Sequence, residues 1–547
     1  MKHKYQVLLW LFIIAYTCYF SYFTILRYKT LYASYYDLGI MHQTVYNTFI
    51  SIKTGDWSRF LELTNPLGSN QIKRMAIHND ILLALLAPFY FLHSGPETLL
   101  VIQAAIIALG ALAIFKIANL ILQKNKYAAL LALIFSLAYL LYPPLERANI
   151  FDFHAVVLAT TFLLFMFYFW LVKKYLFSLI FFVLSLFSKE QVALTTLMFG
   201  LYAFLNCHCE RLKGAKQSQL KGLKGLLRPP PWRGPRNDRE WFFSFLIVIL
   251  SIFWFIFSVF YLIPLSRGGN HFAVSRYSDF GDSPLRIILG IFTNPDSIFK
   301  YVFRTDSLNY LKNLLGPIGY LSLLSPIQLL ITLPEFAINL LSKNPNMRNI
   351  IYHYTAVITP FVFISAIYGA KKIIRILQIR RHSGDPDVTS GDSRIVVRFW
   401  TRSLGSLARM TKKKEILIGI FILIFSLYFA YLKGPLPFSK EKNIHPFKYR
   451  QKEAKDVAFW SKTLKSEGLK ISTTGQLSPF FTSRRYFYIF SANYKLADYV
   501  IVRLNEIYNY PEKNELIPVY ERLKKDYNYE LIYQKENFEV YKKVASS

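Results

Sequence analysis

The sequence predicts an α-helical polytopic membrane protein of about 11 transmembrane segments, ending in a small soluble α/β domain. Three observations predict it. Of the 547 residues 53% are apolar and 17% aromatic, and they are gathered into long blocks. The basic excess, +32 overall, concentrates between those blocks. From about Tyr449 the blocks give way to short Val-, Ile-, Tyr- and Phe-rich runs.

The blocks can be walked in order as crossings. Val7–Phe23 follows a basic N-terminus (Lys2, His3, Lys4) and lacks a small-residue cleavage site, so it reads as an uncleaved first span leading outward. A first external loop, 25–97, contains the short apolar piece Ile81–Leu92, interrupted by Pro88 and suited to lying on the membrane surface. Leu99–Leu122 returns inward, Ala128–Tyr142 goes out, and Val156–Val172 comes back. Leu176–Phe187 and Val192–Leu205 are short for full spans, with Lys189 and Glu190 between them at or below the external surface. Phe242–Ile263 goes out to a polar loop, Ser266 to about Asn309. Pro317, Pro326 and Pro334 forbid a single straight helix over Leu311–Leu341, which reads as a broken pair. Ala356–Gly369 and Ile416–Leu432 complete the transmembrane domain, 1–432. Parity then places the remainder, 433–547, outside the cell membrane.

Two hydrophilic segments, 206–240 and 371–414, interrupt this pattern. Cys207–Glu240 carries 9 Lys/Arg against 3 Asp/Glu, and Lys371–Glu415 carries 12 against 4. Basic loops held on the cytoplasmic side explain this charge, and nucleic acid is not the expected partner. Neither segment has a helical or alternating period, so both read as disordered inserts. Three cysteines cannot build a disulfide framework, and Cys207-His208-Cys209 has no matching pair to complete a metal site.

In the C-terminal portion Lys452–Lys465 and Leu516–Lys525 are helical by pattern. Leu469–Thr474, Tyr486–Phe490, Tyr499–Leu504, Glu530–Gln534 and Glu539–Lys543 are strand-like. No nucleotide-binding glycine motif or metal-ligand spacing occurs there.

Three polar clusters return to the same external surface. They are Tyr35-Tyr36-Asp37-Leu38-Gly39 with Met41-His42-Gln43, Glu146 to His154 (ERANIFDFH), and Ser188 to Gln191 (SKEQ). One site gathered from all three is the expectation. Each cluster also has a structural reading. Asp37 could cap a helix, Asp152 and His154 could anchor a span, and Lys189 with Glu190 could be an ion pair inside the bundle.

The order of motifs YYDLGIMHQTVYNTF, HNDILLALLAPFYFL, FDFHAVVLATTFLL, LFSKEQVALTTLMFGLY, YHYTAVITPFVFISAIYG and ADYVIV resembles a family of multi-pass membrane proteins catalogued as a domain of unknown function, number two-zero-seven-nine. That family in turn is similar to the GT-C superfamily of membrane glycosyltransferases. The resemblance implies a sugar transfer from a polyprenyl-phosphate donor to a glycan, lipid or protein acceptor on the outer face. It matches Asp37 to the acidic position of the first loop, although Asp37 is followed by Leu-Gly and forms no Asp-x-Asp pair. It makes Glu146 or Asp152 a second carboxylate.

Such a transfer needs a base for the acceptor hydroxyl and positive charge for the departing phosphate. Asp37 fits the base, while Arg147, Lys189, Arg267, Arg276 and His353 fit the phosphate. His42, His78 and Glu190 complete the candidate substrate-binding set. A divalent cation, Mg or Mn, could assist, with Asp37, Asp152 and His154 as its candidate ligands. Two other classes stay open, a transporter or flippase for a lipid-linked substrate and a non-catalytic envelope protein. A cavity holding Asp37 with Glu146 or Asp152, open sideways to lipid, would favour the enzyme; a central path gated on both sides would favour transport.

Overall fold

The computed structural model describes residues 2–33, 36–222, 236–269, 272–383, 414–441, 445–448 and 451–544. The middles of both basic inserts, and the disorder expected of them, lie outside the described residues, as do Tyr35 and Tyr449.

Long apolar helices form where the blocks predict them. α1 spans Lys2–Lys29, and further helices cover Pro96–Ile121, Ala155–Leu171, Tyr175–Leu186, Val192–Gly222, Arg236–Ile256, Thr359–Ser383 and Lys414–Lys433. Among the described residues four helices are long and apolar enough to cross a membrane: His3–Lys29, Pro96–Ile121, Arg239–Arg267 and Glu415–Lys433. The pair Ala128–Leu140 and Pro143–Ile150 makes a fifth if its 42° bend lies within one span. The bend falls at Pro143-Pro144, where the missing N–H groups end the helical ladder. Most of the other crossings expected from the sequence fall on shorter apolar helices, and that expected at Ala356–Gly369 falls on Thr359–Ser383, which is long but is not among the helices apolar enough to cross.

Pro96–Ile121 is the hub of the bundle, packing against α1, Ala128–Leu140 and Ala155–Leu171. Its small residues Ala104, Ala108, Gly110 and Ala111 let neighbours approach closely. The Tyr139 hydroxyl reaches Ile107 O at 3.1 Å over Gly110, where any Cβ would collide with it. Ser136 and Thr161 donate to Ala111 O and Ile106 O at 2.9 and 2.7 Å.

The proline-rich block is cut into short pieces as its composition requires: Thr305–Leu315, Gly316–Ile318, Leu321–Leu324, Pro326–Leu329 and Leu333–Leu340. The loop before it is less polar in form than its sequence suggests. It holds two amphipathic helices, Pro284–Thr293 and Pro295–Val302.

The first loop forms α2 (Asp37–Thr54), a hairpin of β1 (Glu62–Thr64) and β2 (Gln71–Lys73), and the short surface helix Leu82–Leu86, continued by a 3₁₀ turn Ala87–Phe91. The C-terminal portion is a five-stranded mixed sheet flanked by helices, including Ala454–Thr463 and Lys513–Lys524. Its strands are β3 (Ile471–Thr473), β4 (Phe487–Ile489), β5 (Tyr499–Arg503), β6 (Tyr529–Lys535) and β7 (Phe538–Lys543), in the order β4-β3-β5-β7-β6. β3 runs parallel to both β4 and β5, and β7 is antiparallel to β5 and β6.

This domain is docked onto the first loop. Arg485 grips the Glu62 carboxylate at 2.8 and 3.1 Å, Gln43 donates to Arg485 O at 3.0 Å, and Phe487 N donates to Thr64 Oγ1 at 3.1 Å. Leu31 and Tyr36 sit in one apolar cluster with Val457, Phe487 and Val540. The sequence reading of a small α/β domain did not include this contact.

Candidate active site

A cavity of about 350 Å³ opens where the first loop meets the loops after Ile150, Leu186 and Asn349. Its wall carries Asp37, Arg74, His78, Asp80, His154, Lys189, Arg276, Tyr352, His353 and Tyr354.

Asp37 is the first residue inside α2, and the cap position belongs to Tyr36, whose side chain makes no capping bond. The capping alternative is therefore not what holds Asp37. Its side chain is 45% exposed, and that exposure opens into the cavity, with His154 Nε2 3.7 Å from Oδ2. Burial raises its pKa, but His154, Arg74 and Lys189 together outweigh this and hold the carboxyl below its usual value.

His154 is set by the backbone before it. Asp152 has φ +62°, and Gln103, fully buried in the hub helix, donates to Asp152 O at 2.8 Å and accepts from His154 N at 2.9 Å. The imidazole stacks on His353, with ring centroids 4.0 Å apart, and on Phe151 at 5.6 Å. Nδ1 of both histidines lacks a hydrogen-bond partner among the described residues. With Nε2 facing a carboxylate, the tautomer that fits carries its proton on Nε2. Burial and the adjacent His154 push His353 well below its ordinary pKa, so it stacks as a neutral ring.

The SKEQ loop sends consecutive residues to different partners. Lys189 lines the cavity, only 9% exposed, and its ammonium makes no hydrogen bond or ion pair among the described residues, Glu190, Glu335 and Asp80 acting on it only through space. Glu190 turns away, bonding His78 Nδ1 at 2.8 Å and Asn79 N at 3.0 Å. Burial drives His78 down to about 3 against the pull of Glu190. Gln191 donates to Glu335 at 2.9 Å. Lys189 and Glu190 are thus not an ion pair with each other. Arg276 reaches the wall from the far loop, beside Met347 and Tyr354.

The remaining sequence candidates lie elsewhere. His42 is fully buried against the C-terminal domain, its nitrogens bonded to Tyr90 Oη at 2.7 Å and Ser483 Oγ at 2.8 Å. Arg147 donates to Glu441 at 2.5 Å and to Lys433 O at 2.8 Å. Glu146 is buried beside Gly434, and Asp152 lies behind the wall. Arg267 lines a neighbouring cavity that shares Ile40 and Ile77 with this one. The sequence reading missed Arg74 and Asp80, a buried pair closed by bonds of 2.8 to 3.1 Å. Asp80 lies within the HNDILL motif, but no local signal marks Arg74. It also missed Tyr352 and Tyr354, which flank His353.

Among the described residues no three His, Cys, Asp or Glu side chains converge as metal ligands. Asp37 and His154 adjoin, but Asp152 does not join them. A divalent cation here would need phosphate oxygens to complete its shell, since the protein supplies one open carboxylate.

The model of the family described as predicted membrane protein (DUF2079) matches residues 27–540. The chain belongs to that family. No curated protein matches it. Among solved structures the chain is similar to ArnT from Cupriavidus metallidurans bound to undecaprenyl phosphate, at 13% identity and a TM-score of 0.47, over 97% of this chain and 98% of that one. It is also similar to the Archaeoglobus fulgidus oligosaccharyltransferase in the apo form, at 11% identity and 0.42, over 100% and 74%. The archaeal oligosaccharyltransferase AglB from the same organism, in complex with an inhibitory peptide and a dolichol-phosphate, follows at 11% and 0.35, over 97% and 74%. At these scores the likeness assigns no residue a role.

Proposed function

We propose that this family member is an integral-membrane glycosyltransferase of GT-C type, which moves a sugar from a polyprenyl-phosphate donor to a hydroxyl acceptor, with inversion. One observation carries the reading: an ionised carboxylate, Asp37, faces a cavity whose wall also bears the unpaired ammonium of Lys189 and the guanidinium of Arg276. Asp37 takes the acceptor's proton as its oxygen attacks the anomeric carbon. The bond to phosphate breaks, and Lys189 and Arg276 meet the charge that develops on the leaving group. A phosphate leaves as an anion, so no strong general acid is needed. Burial makes Lys189 costly without a partner, and an anionic substrate supplies that partner.

The docking of the C-terminal domain on the first loop, which also lines the cavity, supports one side of the cell membrane for both, and basic inserts on the inside would make it the outer face. A thiol label at Lys465→Cys on intact cells tests this placement, and labelling only after lysis overturns it.

The deciding experiment incubates the purified protein with a panel of radiolabelled polyprenyl-phosphate sugars, with and without chelator. Consumption of one donor supports the reading, and a shift with chelator shows whether a cation joins the phosphate. A panel left intact by the folded protein removes the proposal.

A further inference from the structure

The loop between Arg267 and Thr305 supplies Arg276 to the cavity and then continues into two short helices whose outer face nothing in the described chain covers. Ser283 starts the first by accepting from Arg286 N at 3.4 Å, followed by Pro284, and Asn294-Pro295 separates it from the second. On Pro284–Thr293, Ile287 and Ile291 turn inward onto a small core of Phe280, Tyr301 and Leu341. Leu285, Ile288, Leu289 and Phe292 turn outward, and Phe292 is 81% exposed. At 100° per residue these four fall within a stripe about 100° wide, the width of a buried helix face rather than of scattered surface residues. Phe299 and Phe303 extend the same exposed surface.

We infer that residues 284–303 are a membrane anchor, whose outward stripe lies in the lipid monolayer on the cavity side of the bilayer. Two features select lipid as the occupant. Along the chain the two helices stand between elements that expose apolar residues. The preceding candidate span, Arg239–Arg267, is little buried and ends at exposed Leu265, and Thr305–Leu315 follows with exposed Leu308. Lys300 and Arg286, the latter paired with Asp282 at 2.7 Å, are exposed beside the stripe, where interfacial helices place cations for headgroup phosphates.

The anchor is tied to the cavity wall. Lys343 N donates to Arg276 O at 2.8 Å, the Tyr277 hydroxyl donates to Ile338 O at 2.8 Å, and Lys343 Nζ pairs with Asp279 at 2.6 Å. Asp279 also accepts from Tyr301 of the second helix. Insertion of the stripe thereby holds the Arg276 segment at the height of the lipid headgroups. This inference concerns the resting protein and stands whatever reaction the cavity performs.

The test uses the full chain in lipid nanodiscs, carrying a spin label at Phe292→Cys or, as a control on the helix flank, at Thr293→Cys. The unsubstituted chain, labelled in parallel, measures the background from native cysteines. Both positions are exposed, so neither substitution disturbs packing. The expected result is relaxation by oxygen and little by a water-soluble nickel complex at 292, with the nickel complex gaining at 293. Equal access of nickel to both positions overturns the inference in favour of a water-facing helix. Shielding from both reagents, with dipolar broadening between labels, overturns it in favour of a second copy of the chain.

Discussion

His42 and His154 are both buried histidines, 112 positions apart, and they stand in two regions that treat polar groups in opposite ways. At the contact between the first loop and the C-terminal domain the buried imidazole and charged groups are mostly bonded, although Ser478 Oγ, Thr482 Oγ1 and Arg59 Nε lack partners among the described residues. His42 bonds through both nitrogens, and Arg485 grips Glu62 with two. Arg484, almost wholly buried, donates to the carbonyls of Phe481, Ser466, Leu469 and Leu464. Around the cavity demands are left open: Lys189 has no counter-charge within bonding reach, Asp37 meets His154 only at 3.7 Å, and His154 Nδ1 is bare. Saturated networks lock a structure, while unmet groups lining a cavity leave binding capacity for something that arrives. Substitutions in the first region should therefore cost stability, and substitutions in the second should cost activity.

The sharpest test is Asp37→Asn, which keeps size and removes the base. Sugar transfer should fall by about 10²–10⁴-fold, with stability changed by less than about 1 kcal/mol. Wild-type turnover by the folded variant would take Asp37 out of the mechanism. Arg484→Met is the mirror case, leaving buried carbonyls without donors. A loss of about 3–5 kcal/mol is expected, read as a lower unfolding midpoint, with transfer per folded molecule unchanged. If activity falls and the midpoint holds, the contrast between the regions fails.

Lys189→Met should lower kcat/KM for a phosphate-linked donor by about 10–100-fold, the value of one charge-assisted contact. Its thermal midpoint should change little, because the cost of burying this ammonium is offset only by through-space attraction to Asp37, Glu190, Glu335 and Asp80, with no direct bond to lose. His154→Gln is finer. The neighbouring His154 helps keep Asp37 ionised, so its loss raises the Asp37 pKa, and the acid limb of the kcat/KM profile should move to higher pH. A purely structural His154 would lower the rate without moving the limb.

The last test concerns Glu506 in the C-terminal domain, away from the cavity, which burial pushes up to about 7. The folded state therefore binds this proton more tightly than the unfolded chain, and stability falls as pH rises from the ordinary carboxyl range through about 7. The midpoint difference between wild type and Glu506→Gln should shift against wild type across that window and level off above it. A difference that is flat with pH would show the carboxyl titrating normally.

Composition and apolar blocks by themselves determined the helical membrane architecture, the positions of most helices and the α/β character of the C-terminal part. Burial in lipid obliges long stretches of chain to be apolar and internally hydrogen-bonded, and alternation betrays strands. The three polar clusters were legible for the same reason, since charged residues at the ends of such blocks are costly. Which member of each cluster faces the cavity was decided only by tertiary structure. Lys189 and not Glu190 reaches it, because a loop without periodicity sends neighbours in different directions. His154 reaches it because a positive φ at Asp152 and the distant Gln103 turn the chain, while Glu146 and Asp152 lie away from the wall. His42 is held back by Ser483, a partner 441 residues away that no local pattern contains.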